Sequence, residues 1–406
     1  MIRLHRAAAI AWWCVFAGFL ASATVSAQSA PTGYVSLFVD RLPNRDATEL
    51  RARVFGEEKA DAGSRIRLVA SGFVEGLLAD RGGAVRDFIA EPHELTATFR
   101  ARWVDVTAGF GRVVWGRLDE LQPTDVVNPL DASRFFFEGR SEARLAVPLV
   151  RATLYAGEHA SVEGVYVPFF RRGRFDRLDE PTSPFTLGPA VPFADRSPAR
   201  TAGNAQGGAR ASFTSGRVDW SVSGYRGFRP FGIYAAADPF AIAPVERIYP
   251  RFTMIGGDVE TVSGPWGLRG EVAVFTSDAF QPQAPGPVRT GSSVDAGGGV
   301  DRKAGEYRLS GQVLVHREND DDGRRTDLSL IVSADRTFAR QKYEGRLFGV
   351  YNPTSGSAFV RGIARAALRD NVALEGSIGV FTGDGADNIG RFADSDFVYV
   401  RVKYSF

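Results

Sequence analysis

The 406-residue chain has one cysteine and four histidines, and beyond residue 25 it has no apolar run of about 18 residues. Each scarcity excludes something. Cys14 lies in the N-terminal apolar stretch, so the rest of the chain has neither a disulfide framework nor thiolate chemistry. No second long apolar run exists to form an α-helical span. Beyond the N-terminal stretch the histidines are His93, His159 and His316, and no Gly-x-Ser-x-Gly sequence occurs. That is a poor stock for a nucleophile–base pair, so the chain is not expected to be an enzyme. Charge of one sign is also lacking. Without Arg3 and Arg6, the 49 Lys and Arg fall to 47, matching 47 Asp and Glu. A neutral chain offers no electrostatic case for nucleic acid. The acidic run Glu318-Asn-Asp-Asp-Asp-Gly323 misses the Asp-x-Asp-x-Asp-Gly spacing of a calcium loop, and Gly109-Phe-Gly111 sits within a strand pattern with no helix after it. Neither a metal nor a cofactor is expected.

What the chain does have begins with an export signal. Arg3 and Arg6 precede an apolar run from about Ala7 to Val25, and Val25-Ser26-Ala27 supplies small residues for cleavage before Gln28. Residues 1–27 are therefore expected to be a signal peptide. Gly (45) and Phe (30) are abundant. At the other end, Val398, Val400, Val402, Tyr404 and Phe406 alternate with Tyr399, Arg401, Lys403 and Ser405. Strict period two means a strand with one apolar and one wet face. A chain that ends on an aromatic after such alternation resembles the closing strand of Gram-negative outer-membrane β-barrels. The resemblance implies that Phe406 is an assembly signal read by the barrel assembly machinery. It also implies location in the outer membrane, with lipid and lipopolysaccharide around the wall.

The same alternation recurs along the chain. Strand candidates fall at 33–41 and 48–57, 64–78 and 94–102, 104–115 and 142–155, 158–169 and 206–214, 217–227 and 250–261. They continue at 265–276 and 291–301, 305–317 and 325–337, 341–353 and 356–368, 371–382 and 396–406. Long connections (79–93, 116–141, 170–205, 228–249, 277–290 and 383–395) mostly alternate with tight turns such as Ser263-Gly264-Pro265. Short turns on one side and long loops on the other indicate an all-β, transmembrane, antiparallel up-and-down barrel over residues 28–406. The count is about 18 strands, or about 16 if the 33–57 hairpin lies outside the wall.

One connection carries a signature. Val114-Trp115-Gly116, followed by Thr124-Asp125-Val-Val-Asn-Pro-Leu-Asp131, resembles an uncharacterised family of porin-like outer-membrane barrels with a VxWG…DVVNP pattern after an early strand. The likeness covers about a tenth of the chain closely and implies fold and location more than cargo. Residues 116–141 are too long for a simple hairpin and carry Asp119, Glu120, Asp125 and Asp131. They either fold inward as a constriction, with Phe135-Phe136-Phe137 against the inner wall, or lie on the rim.

Alternation also assigns lumen charges. Arg51, Arg53, Arg65, Arg67, Arg100 and Arg102 come from early strands, and Lys342, Arg346, Arg361, Arg365, Arg401 and Lys403 from late ones. Closure would join these into a basic wall, with Glu49, Glu75, Glu94, Glu344 and Glu375 interspersed. Opposite lie Asp219, Asp258, Glu260, Asp295, Asp301, Asp327 and Asp335. These features point to passive diffusion of small solutes through a charged, weakly anion-leaning channel. The alternative is an outer-membrane partner in transport of apolar or lipid-like substrates.

Overall fold

Period-two alternation needs a surface with water on one side and an apolar medium on the other, and a closed sheet supplies it. The computed structural model describes residues 26–27, 31–174, 193–236, 245–281, 286–385, 387 and 389–406. Apart from Ser26 and Ala27, the expected signal peptide lies outside them, as do residues 175–192 of the long connection at 170–205. The wall is a closed antiparallel barrel of 18 strands. They are β1 (Thr32–Leu42), β2 (Ala47–Ala62), β3 (Ile66–Asp80), β4 (Ala84–Arg100), β5 (Val104–Gly111) and β6 (Val147–Tyr155). Next come β7 (Ala160–Val167), β8 (Gln206–Ser215), β9 (Val218–Phe228), β10 (Arg251–Ser263), β11 (Trp266–Phe280) and β12 (Arg289–Ala304). The last are β13 (Tyr307–Asp320), β14 (Gly323–Phe338), β15 (Tyr343–Asn352), β16 (Ser357–Arg369), β17 (Val372–Thr382) and β18 (Phe397–Ser405). The 33–57 hairpin therefore belongs to the wall, and 18 rather than 16 is the count.

Closure runs between β1 and β18, from Tyr34 opposite Ser405 to Arg41 opposite Val398. On β18 the expected faces hold. Val398, Val400, Val402 and Tyr404 are exposed, while Phe397 and Tyr399 are buried inside. Phe406 continues the ladder: its N–H donates to Gly33 O at 3.0 Å, and Gly33 N–H returns the bond at 3.0 Å. The tight turns cluster at the end that carries both termini. In Ser263-Gly264-Pro265-Trp266, Gly264 has φ +58 at the first turn position, the primed geometry that matches strand twist.

One expectation fails. Residues 79–93 are not a long loop, because β3 and β4 continue past it and join through a turn at 81–83. Pro92 and the charges at Glu91, Asp87 and Arg86 disguise the strand. A register shift at Ser71/Gly72 absorbs the proline, which could not donate to the ladder. His93 accordingly sits mid-wall between the Phe55 and Phe73 rings rather than at the end of a long connection. On the loop side, Phe193–Arg196, Ile233–Ala235 and Val245–Ile248 form a small separate sheet.

Candidate functional site: a segment folded into the barrel

The connection from β5 to β6 does not lie on the rim. From Val113 onward it enters the barrel, crosses to the far wall, passes along β15–β18, reaches β1–β2 and returns to Val147. The neck is built by the signature residues. Asn128 accepts from Val113 N–H through Oδ1 at 2.7 Å, and its amide donates to Gly111 O at 3.2 Å and Leu145 O at 2.8 Å. One side chain thus fastens the entry and exit of the segment together. Leu145 N–H donates to Pro129 O at 2.9 Å. Arg144 closes the neck on Asp125 at 2.6 Å. Val113, Trp115 and Val127 pack with Val147, Val165, Tyr225, Phe252, Met254 and Phe275 into an apolar cluster between segment and wall.

The deepest anchor is Glu271 on β11. Its carboxylate, 3% exposed, accepts from Arg117 N–H at 3.0 Å, Leu118 N–H at 3.3 Å, Thr124 N–H at 2.7 Å and Thr124 Oγ1 at 2.8 Å. Gly116 permits that approach. Its φ is +89, and a Cβ there would stand 2.6 Å from Glu271 Oε1. Leu118 then sinks into a hollow beside Gly297 and Gly299 of β12, where added Cβ atoms would lie 2.9 and 3.1 Å from it. Glu271 is not among the residues the sequence singles out. The signal lay in Gly116 and Thr124, which mean nothing until the partner carboxylate is known.

Beyond the anchor, opposite charges meet. Arg117 reaches Asp258 at 2.6 Å and Glu260 at 3.0 Å on the acidic side. Asp119 meets Arg269 at 3.2 Å, and Glu120 meets Arg346 at 2.8 Å. Gln312 donates to Leu121 O at 2.8 Å. The helix α1 (Ala132–Glu138) lies against the other wall. There the Phe137 ring packs 4.6 Å from Phe397 and 5.7 Å from Phe38, and Phe136 meets Phe359, Phe381 and Phe392 at 5.1–5.5 Å. Arg361 donates to Phe137 O at 2.6 Å. Glu138 pairs with Arg134 at 2.6 Å, Arg53 at 2.8 Å and Arg401 at 3.6 Å. Burial opposes its charge, yet Arg134, Arg53 and Arg401 outweigh that and hold its carboxyl well below the usual range. For Glu120 burial wins over Arg346, and its carboxyl is pushed up.

The arginines assigned to the lumen therefore fall into two groups. Arg51, Arg53, Arg361 and Arg401 sit beside the segment. Arg51 pairs with Glu49 at 2.6 Å, Arg53 with Glu75 at 2.6 Å, and Arg401 with Glu375 at 2.8 Å. Arg361 donates to the neutral oxygens of Ser377, Phe137 and Tyr399. Arg346 bridges Glu120 and Asp335. The second group lies toward the short-turn end. Arg67 pairs with Asp61 at 3.0 Å and Arg365 with Glu344 at 3.7 Å. Lys403 stands 4.1 Å over the Tyr34 ring. Arg65 and Arg102 occupy turn positions, and Arg100 ends β4. Among the described residues, Arg65, Arg100, Arg102 and Lys403 form no ion pair. The basic and acidic walls are thus bridged by the segment rather than left facing each other across open water. Two of the four loop carboxylates also have a different setting from the one expected. Asp125 and Asp131 are buried in the neck, on Arg144 and on Arg174 at 2.7 Å, so their charge does not face the lumen.

Two hollows border the segment. One, about 240 Å³, has Leu121, Gln122 and Val126 on one side and Arg229, Phe231 and Phe252 on the other. The second, about 140 Å³, has Phe135, Glu120 and Glu138 facing Arg346, Phe348 and Arg361.

No family model matches the chain, and no curated protein matches it in sequence. Solved structures do match over nearly its whole length. Pseudomonas aeruginosa OccK5 (OpdH) superposes with a TM-score of 0.56 at 10% identity, covering 93% of this chain and 97% of that one. The P. aeruginosa outer membrane protein OpdK gives 0.55 at 9% identity, over 94% and 100%. OpdK solved with vanillate gives 0.53 at 10%, over 93% and 97%. The chain thus has the 18-strand fold of these outer-membrane barrels, with its β5–β6 connection packed into the lumen.

Proposed function

We propose that this protein is an outer-membrane channel for passive diffusion of small solutes, weakly anion-leaning, in which residues 112–146 set the constriction. The observation that carries this reading is the segment itself. A barrel of this strand number encloses an aqueous lumen unless something narrows it, and here a segment tied to both walls does so. Selectivity then follows from width and residual charge. Around the segment most charges are paired. Arg65, Arg100 and Lys403, without carboxylate partners among the described residues, supply the lean toward anions. The hollow beside Arg346, Arg361 and Phe348 combines cationic and aromatic surfaces. Since OpdK was solved with vanillate, an aromatic carboxylate, small carboxylates are the first solutes to assay. The neck roles of Trp115, Gly116, Asp125 and Asn128 support kinship with the VxWG…DVVNP barrels. The exposed ring of Phe406 is the feature that assembly machinery would read.

The decisive experiment is single-channel recording of the refolded barrel in a planar bilayer under a salt gradient. Stepwise conductance is expected. A folded barrel that never conducts would overturn the channel reading and favour a partner role in transport of apolar substrates. Replacing Arg65, Arg100 and Lys403 together with glutamine should move the reversal potential modestly toward cations, and an unchanged potential would remove the anion lean. Acidification gives a second readout. Glu120, with its carboxyl pushed up, protonates before ordinary carboxylates and leaves Arg346 less compensated. Anion preference should therefore rise as pH falls toward about 4.5, where an unperturbed Glu titrates. Glu120→Gln should flatten that rise.

A further inference from the structure

On the outside of the barrel, the β2–β4 wall has a hollow where side chains are missing. Ala52 and Gly76 are cross-strand partners, and a Cβ added to Gly76 would meet nothing within 4 Å. Leu50 and Leu78 form the next pair toward the 81–83 turn, and Phe88 and Arg86 stand opposite Gly76 and Leu78 on β4. Together they border a groove of about 330 Å³. It faces outward: Leu78 and Phe88 are more than half exposed, whereas Arg51, Arg53, Glu75 and Leu77 on the other face are buried.

Its height is also fixed. Ile66 lies opposite Phe99 at the short-turn end, and Gly76 lies opposite Phe88. At ~3.4 Å per residue and a tilt of ~40°, these two levels are roughly 25 Å apart along the barrel axis. That is the height of the lipid-facing band, so Phe99 and Phe88 mark its two edges. Arg86 stands just beyond Phe88, at headgroup depth on the long-loop side. Asp87 also lines the groove and Asp80 lies on the same face of β3, yet among the described residues Arg86 forms no ion pair with either. A planar guanidinium free of ion pairs, level with Leu78 at the upper end of the groove and one pair beyond Gly76 and Phe88, matches a phosphate above an acyl chain.

We propose that this groove is a specific lipid site. It takes one acyl chain of a phosphorylated glycolipid of the lipid A type from the outer leaflet, with a lipid phosphate on Arg86. The assignment rests on outer-membrane placement and not on conduction, so a barrel that fails to conduct would leave it standing.

The test is native mass spectrometry of the detergent-purified barrel titrated with diphosphorylated lipid A, dephosphorylated lipid A or phosphatidylethanolamine. Saturable binding of one lipid A is expected. Arg86→Ala should weaken it about fivefold, the typical worth of one arginine against an anionic headgroup, and dephosphorylated lipid A should weaken it similarly. Gly76→Leu, which fills the hollow, should abolish it. Equal binding by wild type and Arg86→Ala would overturn the proposal, as would phosphatidylethanolamine binding as tightly as lipid A. Arg86 is exposed and its side chain forms no hydrogen bond or ion pair among the described residues, so its variant remains decisive even if Gly76→Leu does not fold.

Discussion

Glu271→Ala should raise the single-channel conductance severalfold and make the current noisy, while the barrel itself stays folded. The side chain serves the lumen segment rather than the wall, since the β11 ladder is backbone-made and survives its removal. What is lost is the acceptor for three buried backbone N–H groups and one hydroxyl of the segment. Each unsatisfied buried donor costs about 1–3 kcal/mol. Even with water replacing some of these bonds, the total reaches several kcal/mol. Each 1.4 kcal/mol is a tenfold change in population, so the docked segment becomes a minority state. The lumen then approaches the open width that the strand count allows.

Gly116→Ala should act in the same direction from the other partner. Its Cβ would meet the Glu271 carboxylate at 2.6 Å, and its positive φ adds about 1–2 kcal/mol of backbone strain. Glu271→Gln should fall between, because its amide can still accept from Thr124 but turns a donor toward the Arg117 and Leu118 N–H groups. Conductance and noise identical to wild type in all three folded variants would mean that the segment does not limit the pore.

The contrast between strand and anchor explains what the sequence could reveal. Val398 through Phe406 announce their faces because the strand period is local, and every second side chain meets the same medium. The same logic locates all 18 strands near their observed positions. It fails at residues 84–93, where Pro92 and outward Arg86 break the apolar period and a bulge restores the pairing. The segment is different in kind. Thr124 and Glu271 are 147 residues apart, and Glu120 and Arg346 are 226 apart. No periodicity connects such pairs. Asp125 and Asp131 looked like pore carboxylates because composition shows charge but not its partner. Arg144 and Arg174 claim them. The DVVNP residues likewise read as a signature long before Asn128 can be seen holding the neck.

Glu138 is where charge and position are most tightly joined, and Glu138→Gln should shift the reversal potential strongly toward anions. The carboxylate side chain is 9% exposed and answers three arginines: Arg53, Arg134 and Arg401. Glutamine keeps the size and one acceptor oxygen but removes the charge. Glu75 and Glu375 still oppose Arg53 and Arg401, so the excess positive charge falls chiefly on Arg134 and on the shared face of α1. Breaking one partner out of a buried ion cluster costs about 3–5 kcal/mol, which also loosens the helix from β2 and β18. The pH dependence has a definite sign. A carboxyl held below its ordinary range gives its stabilisation in full above the unfolded value of about 4.5 and loses it as pH falls through the lower folded value. From neutrality down to about 4.5, Glu138 therefore stays charged, so of these two glutamates only Glu120 changes charge as acid is added over that window. Reversal potentials of wild type, Glu120→Gln and Glu138→Gln across this range separate the two. A Glu138→Gln channel with the wild-type potential at neutral pH would show that permeating ions never sense this cluster, and that the conducting path runs along the Arg229 side of the segment instead.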